Sequence, residues 1–314
     1  MAGDGRGCRR ICGMNKALLV LDGHPLFIHV LRALDRVREV DRVYVIGPKA
    51  PITEAVEAAA STLAFSKRVT VLDQKKTLLE NALFSYAQSC AYAASPNAVA
   101  DPPALFLPAD IPFVTTAEIE TFISRADMTR YDYCLGVASE TSLSHFYPHG
   151  GKPGVRMAYL YLRDKVYRVN NLHLVRPYRV GMLSHVQTTY DLRYQNRIGN
   201  RVQTILEILK TPRCVQGLLL YLLAQGATWL SGMGFTPAAL FCRRFLPLSR
   251  IEREASRFLK ARFKVIEVDL GGSALDVDDE TTYRTMSLLF KEWRAFVDPF
   301  DKPVRSPYPA KVNV

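Results

Sequence analysis

The chain has 314 residues, of which 48% are hydrophobic and 23% charged. That balance excludes a disordered polar chain and gives enough length for one large core or two modest ones. The net charge is +11, but residues 193–264 hold 13 Lys or Arg against three acids, so the excess belongs to one segment and does not mark a general nucleic-acid binder.

In chain order, Gly3, Gly5 and Gly7 come first, in a loop whose backbone N–H groups can approach an anion closely. Arg9, Arg10 and Lys16 add positive charge. A floppy Gly/Arg-rich tail is the plain alternative. Ala17 follows the lysine where a Walker A loop has Ser or Thr, so that motif is excluded. The run Ala17 to Leu21 and the turn Asp22-Gly23-His24 follow. Pro25 is expected to open a helix carrying Leu26, Val30, Leu34 and Val37 on one face. Strands are expected at residues 42–47 and 68–72, with helices at 51–63 and 77–94. Further strands fall at 104–107 and from Tyr133, then at 157–162, 167–175 and 263–269. Residues 197–262 read almost wholly as helices, and another helix runs to about Val297. The alternation predicts an α/β fold with a mainly parallel sheet and helices on both faces. One domain over 1–297 is expected, with a helical basic insertion at 193–262 and a Pro-rich tail at 298–314. The six cysteines complete no zinc pattern, and the N-terminus lacks the apolar core of a signal peptide. A cytoplasmic protein with inert thiols is expected.

The stretch Leu107-Pro108-Ala109-Asp110-Ile111-Pro112 organises the rest. An apolar strand ends in a lone carboxylate bracketed by two prolines. Pro112 forbids a further ladder bond, so Asp110 should sit just past the carboxyl end of a strand, where ligands bind in open α/β sheets. A carboxylate held there suits a hard metal ion. An Asp that only caps the next helix is the competing reading, although Thr115 or Thr116 can cap that helix instead.

With these pieces in place, the chain resembles the MobA-like nucleotidyltransferases, the group of molybdenum cofactor guanylyltransferases and sugar-phosphate nucleotidyltransferases. Three stretches carry the resemblance in order: Ala2 to Lys16, Leu107 to Pro112, and Leu275-Asp276-Val277-Asp278 before Tyr283. Asp4 stands where the family has its second glycine, and Asp279-Glu280 replace a Thr-Pro. The resemblance implies a GT-A or Rossmann-like fold and transfer of a nucleoside monophosphate from an NTP to a phosphorylated acceptor, with Mg²⁺ and release of pyrophosphate. It implies Asp110 with Asp276 or Asp278 as the metal ligands, and Lys16 with Arg9 or Arg10 as neutralisers of phosphate charge. Ala2, Gly3, Gly5, Gly7, Arg10 and Asn81 would bind the nucleotide. Lys152, Arg156 and Asn171 would bind the acceptor, although Gly150 to Gly154 reads equally as an ordinary turn. The family's first strand has no counterpart before Ala2, so the sheet is expected to lack its central strand, the true start lying upstream or this form being a truncation.

Two other readings compete. Asp276-Val277-Asp278 is literally Asp-x-Asp, as in glycosyltransferases on a related fold. A non-enzymatic, membrane-associated protein on a decayed scaffold is the third. From Cys214 to Cys242 there are 29 residues without a charge, broken by Gly232 to Pro237 and followed by a dense basic stretch. Two short helices are expected there, either covering the sheet or making peripheral contact with an anionic membrane.

Overall fold

The structure is a computed structural model, described for residues 10–92, 101–181 and 215–299. The expected Pro-rich tail and residues 193–214 of the basic segment lie outside the described residues, apart from Asp298 and the residue after it.

The described chain begins with a tight turn at Cys12-Gly13, both at positive φ, closed by backbone bonds between Ile11 and Met14. A 3-10 turn, Lys16–Leu18, follows, with the Asn15 side chain accepting the Ala17 N–H. β1 (Val20–Leu21) and β2 (His24–Pro25) form a two-residue hairpin through Asp22-Gly23, whose positive φ values match the turn that such short loops demand. Pro25 therefore closes β2, and α1 (Leu26–Asp35) starts one residue later.

β3 (Arg42–Gly47) and β4 (Arg68–Asp73) pair in parallel, joined by α2 (Lys49–Ala60), which buries Ile52, Ala55 and Ala59. α3 (Leu78–Tyr92) opens on a capping box. The Thr77 N–H donates to Glu80 Oε2 at 3.0 Å, and the Glu80 N–H donates to Thr77 Oγ1 at 3.1 Å.

The second sheet holds β5 (Ala104–Phe106), β6 (Tyr133–Ser139), β7 (Leu160–Tyr161), β8 (Val166–Val175) and β9 (Phe263–Glu267). Its order is β5-β8-β6-β9, with β7 on β8. β8 runs antiparallel to β5, β6 and β7, while β6 and β9 are parallel. Four of the five strands thus share one direction, and the α/β expectation holds. The register between β6 and β8 shifts at Gly136. A Cβ there would lie 2.1 Å from Asn170 Oδ1, so glycine is what admits this buried side chain. Asn171 beside it adopts positive φ, as a bulge allows.

α4 (Thr116–Arg125) follows β5 and packs on the face carrying Cys134, Leu172 and Leu174. The other face carries Val137, Phe263 and Val265. It is covered by α6 (Val215–Gly232) and α8 (Leu248–Leu259), with α7 (Thr236–Arg243) between them; α5 (Glu140–Leu143) is a single turn after β6. α9 (Glu280–Val297), capped by Asp279, buries Met286, Phe290 and Trp293 against Leu19, Leu21 and Phe113. No described strand joins the β3–β4 pair to the five-stranded sheet. One apolar core, running from Val43 and Val45 to Leu107 and Leu174, ties them together instead.

Candidate active site

β5 ends at Phe106, and the chain then threads buried Leu107, Ala109 and Ile111 past the two prolines. These anchors leave Asp110 as the residue that turns outward, its side chain 20% exposed. α4 is capped by Thr115, whose Oγ1 accepts the Glu118 N–H at 3.1 Å. The capping role is thereby filled, and Asp110 is left for other work.

Two segments distant in sequence meet Asp110. The Asp110 carbonyl accepts the Val277 N–H at 3.0 Å, which stitches the irregular 275–279 segment to it. From the other side, the 3-10 turn brings Lys16 Nζ to 3.6 Å from Asp110 Oδ2 and 3.7 Å from Asp278 Oδ1. A lysine ammonium thus lies between two carboxylates. Burial pushes the Asp110 carboxyl up to about 6; Lys16 opposes that rise, and Asp276 and Asp278 add to it. The three motifs expected to form one site do meet here.

Asp276 is engaged differently. Arg168, on β8, places Nη2 at 2.6 Å from Asp276 Oδ1 and donates from Nε to the Ala274 carbonyl at 2.9 Å. Both side chains are largely shielded, so this pair fixes the loop. Sequence reasoning missed Arg168; its one signal is that it is the only Lys, Arg, Asp or Glu in its strand.

Behind the loop lies a second clamp, also missed. Glu118 on α4 is fully buried and accepts from the Ser273 N–H at 2.9 Å and the Ser273 hydroxyl at 2.6 Å. Burial pushes its carboxyl up to about 8, against the lowering effect of those bonds. Asn171 Nδ2 donates to the Ser273 carbonyl at 3.0 Å. Gly272 has no room for a side chain, because a Cβ would meet the Phe113 carbonyl oxygen at 2.0 Å. Helix, bulged strand and loop are therefore locked together before Asp276 and Asp278 emerge.

The remaining expected residues are placed as follows. Asn81 is buried, and its Oδ1 accepts the Lys75 N–H at 2.6 Å, so it holds up the loop before α3. Lys152 pairs with Glu292 of α9 at 2.9 Å in an exposed contact, which a competing anion can break at small cost. Arg156 is exposed on the same stretch, and Arg10 is exposed at the first described residue. Ala2, Gly3, Gly5, Gly7 and Arg9 lie outside the described residues. Among the described residues, no three acidic, His or Cys side chains converge as a ready-made metal cage.

Residues 1–150 match the family described as the MobA-like NTP transferase domain. This part of the chain is a MobA-like NTP transferase domain. Lys16 and Asp110 both fall within the MobA-like stretch, whereas Asp276 and Asp278 come from beyond it. No curated protein matches the sequence. Among solved structures, a hypothetical transferase from Thermus thermophilus is 18% identical with a TM-score of 0.55, over 89% of this chain and 95% of that one. At that identity it shows the shared fold. A CMP:2-keto-3-deoxy-manno-octonic acid synthetase complexed with CTP is 14% identical over 59% of this chain and 79% of that one, with a TM-score of 0.38. A 4-diphosphocytidyl-2C-methyl-D-erythritol synthase from Anaerococcus prevotii is 10% identical over 92% and 93%, with a TM-score of 0.42. These last two are too distant in shape to carry an argument. The family match over residues 1–150 supports a nucleotidyltransferase type of activity.

Proposed function

We propose that the protein transfers a nucleoside monophosphate from an NTP to a phosphorylated small-molecule acceptor, a sugar, polyol or cofactor phosphate, and releases pyrophosphate. The observation that carries this reading is Lys16 held between Asp110 and Asp278. An acceptor phosphate oxygen attacks the α-phosphorus, a new phosphorus–oxygen bond forms, and the bond to the bridging oxygen breaks. Such displacement depends on positioning and on charge neutralisation more than on proton transfer.

Lys16 faces the pyrophosphate side, where its ammonium offsets the charge that develops on the leaving group. Arg9 and Arg10 add charge there, and the amides of Ala2, Gly3, Gly5 and Gly7 wrap the phosphates. Asn81 supports the nucleotide side through the loop it braces. Lys152 and Arg156 take the acceptor's phosphate, while Asn171 orders the floor of the acceptor side through Ser273.

The donor set fits Mg²⁺. That ion is commonly held by one or two carboxylates plus substrate phosphates rather than by a full protein cage. Asp110 and Asp278 already flank a cation, and Asp276 is committed to Arg168. Bound between them, Mg²⁺ would supply charge neutralisation at the α-phosphate. The Arg168 pair commits one carboxylate of the Asp-x-Asp motif to the fold, which weighs against the glycosyltransferase reading.

The test is pyrophosphate release from each of the four NTPs, with Mg²⁺ and a panel of phosphorylated metabolites chosen by thermal shift. Release that requires both an NTP and an acceptor supports the reading. Cleavage of nucleotide-sugars without pyrophosphate formation, or no turnover with any pair, contradicts it.

A further inference from the structure

Of the thirteen large hydrophobic side chains exposed among the described residues, seven lie on one helical hairpin: Leu222, Trp229, Met233, Phe235, Leu240, Phe241 and Phe245. The hairpin is α6, a turn through Gly234 at positive φ, and α7. α6 is apolar on two sides. Leu220, Ala224 and Ala227 are spaced one turn apart and buried against the sheet. Leu222, Gly226, Trp229 and Met233 are spaced likewise on the opposite side, where Leu222 is 47%, Trp229 63% and Met233 53% exposed. The core therefore satisfies one stripe, and among the described residues the other is left exposed. The Phe241 and Phe245 rings, 5.4 Å apart, continue the apolar surface onto α7 and the turn after it.

The segment's own charge has one sign, although Asp164 from the β7–β8 turn accepts the Leu248 N–H at 2.7 Å at the start of α8. No Asp or Glu occurs from residue 208 to residue 251. Arg244 sits exposed between the two phenylalanines, and Arg250 Nη1 donates to the Phe245 carbonyl at 3.3 Å, which brings a second guanidinium to the apolar edge. Arg253 and Arg257 continue the exposed face of α8. Among the described residues, no carboxylate pairs with Arg244, Arg250 or Arg253, whereas Arg257, Arg262 and Lys264 are each paired.

We infer that this hairpin docks in the plane of an anionic lipid bilayer. Its apolar stripe enters the headgroup boundary, and Arg244 and Arg250 meet lipid phosphates. An aromatic-rich apolar face rimmed by arginine is what an interfacial helix needs. A second copy of the chain suits the surface less well, because it would set these arginines against their own equivalents. No helix among the described residues is long and apolar enough to cross a membrane, and α6 stops at Gly232. The contact is therefore peripheral. It would place the enzyme beside acceptors or products at a membrane surface.

The probe is the intact protein with vesicles of phosphatidylcholine containing phosphatidylglycerol, against phosphatidylcholine alone, at low and high salt. The chain has two tryptophans, and Trp293 is buried, so a shift in emission reports on Trp229. The anionic vesicles should shift that emission to the blue and sediment the protein, and salt should weaken both effects. Trp229→Phe should remove the shift while leaving sedimentation. Each arginine at an anionic surface is worth about fivefold in partition, so Arg244→Glu with Arg250→Glu should lower it by more than about 25-fold. Trp229→Asp with Phe241→Asp should abolish sedimentation without changing the melting temperature by more than about 2 °C, since both side chains are exposed. Equal binding to both vesicle types, or binding to neither, overturns the inference. So does concentration-dependent dimerisation without lipid that the same aspartates abolish, because it would assign the stripe to a second copy.

Discussion

Glu118 is the acid most deeply committed to holding the site, and replacing it by glutamine perturbs only its charge. Its carboxyl is pushed from an ordinary 4.5 up to about 8 because the ionised form would be desolvated between α4 and Ser273. Below pH 4.5 both the folded and unfolded chains keep this proton, and burial carries no pH-linked cost. Between 4.5 and about 8 the unfolded chain has lost the proton and the folded chain retains it, so unfolding releases a proton and stability falls as pH rises. At about 1.4 kcal/mol per pH unit, that loss reaches on the order of 5 kcal/mol by pH 8. The side-chain amide of the Glu118→Gln variant mimics the neutral acid. Its carbonyl accepts the Ser273 N–H and its NH₂ group donates to the Ser273 hydroxyl. Urea melts of both proteins from pH 5 to pH 8 measure the difference. The curves should nearly meet at pH 5 and separate toward pH 8, with Glu118→Gln the more stable. Other titrating groups are common to both proteins and cancel in the comparison. Parallel curves across that range would refute the clamp as described.

Two further outcomes follow from the site. Lys16→Met leaves Asp110 and Asp278 without the cation between them, so kcat/KM in steady-state assays should fall by about 100-fold or more, while unchanged turnover would remove Lys16 from the phosphate path. Arg168→Ala strips the shielded Asp276 of its counter-charge and should cost about 3 kcal/mol in denaturant melts, and an unaltered midpoint would show that the pair does not hold the loop.

Much of the fold was legible because local chemistry and tertiary structure agree. The apolar run into Asp110, the Thr115 cap, the β3-α2-β4 unit and the break after Gly232 are each written in adjacent residues. The direction of β8 was not legible, since periodicity marks a strand and its faces but not which neighbour it runs against. Gly136 and Asn170 show why the bulge escaped notice: the glycine is needed only because a distant asparagine lies over it. Pro25 reads as a helix start, yet hairpin pairing with Val20 claims it for β2.

The site divides in the same way. Lys16, Asp110 and Asp278 could be named from their motifs, and they converge. Glu118 reads as an ordinary first-turn acid of α4, and only the arrival of Ser273 from 155 residues away makes it a buried partner. Arg168 and Asp276, which meet across 108 residues, are a pairing that no spacing rule reveals. Asn81 and Lys152 carry side chains suited to ligands, but the chain engages them in its own contacts with Lys75 and Glu292.

If Asp110 serves nucleotidyl transfer rather than folding, its replacement separates turnover from stability. The measurement is pyrophosphate release by the wild-type protein and by Asp110→Asn, with the NTP, acceptor and Mg²⁺ that the screen selects, alongside a thermal melt of each. Asp110→Asn should melt no lower than the wild type, because burial raises the Asp110 carboxyl to about 6 and the amide removes that cost, and it should lose turnover by at least about 100-fold. Near-normal turnover by a folded Asp110→Asn protein would contradict this role.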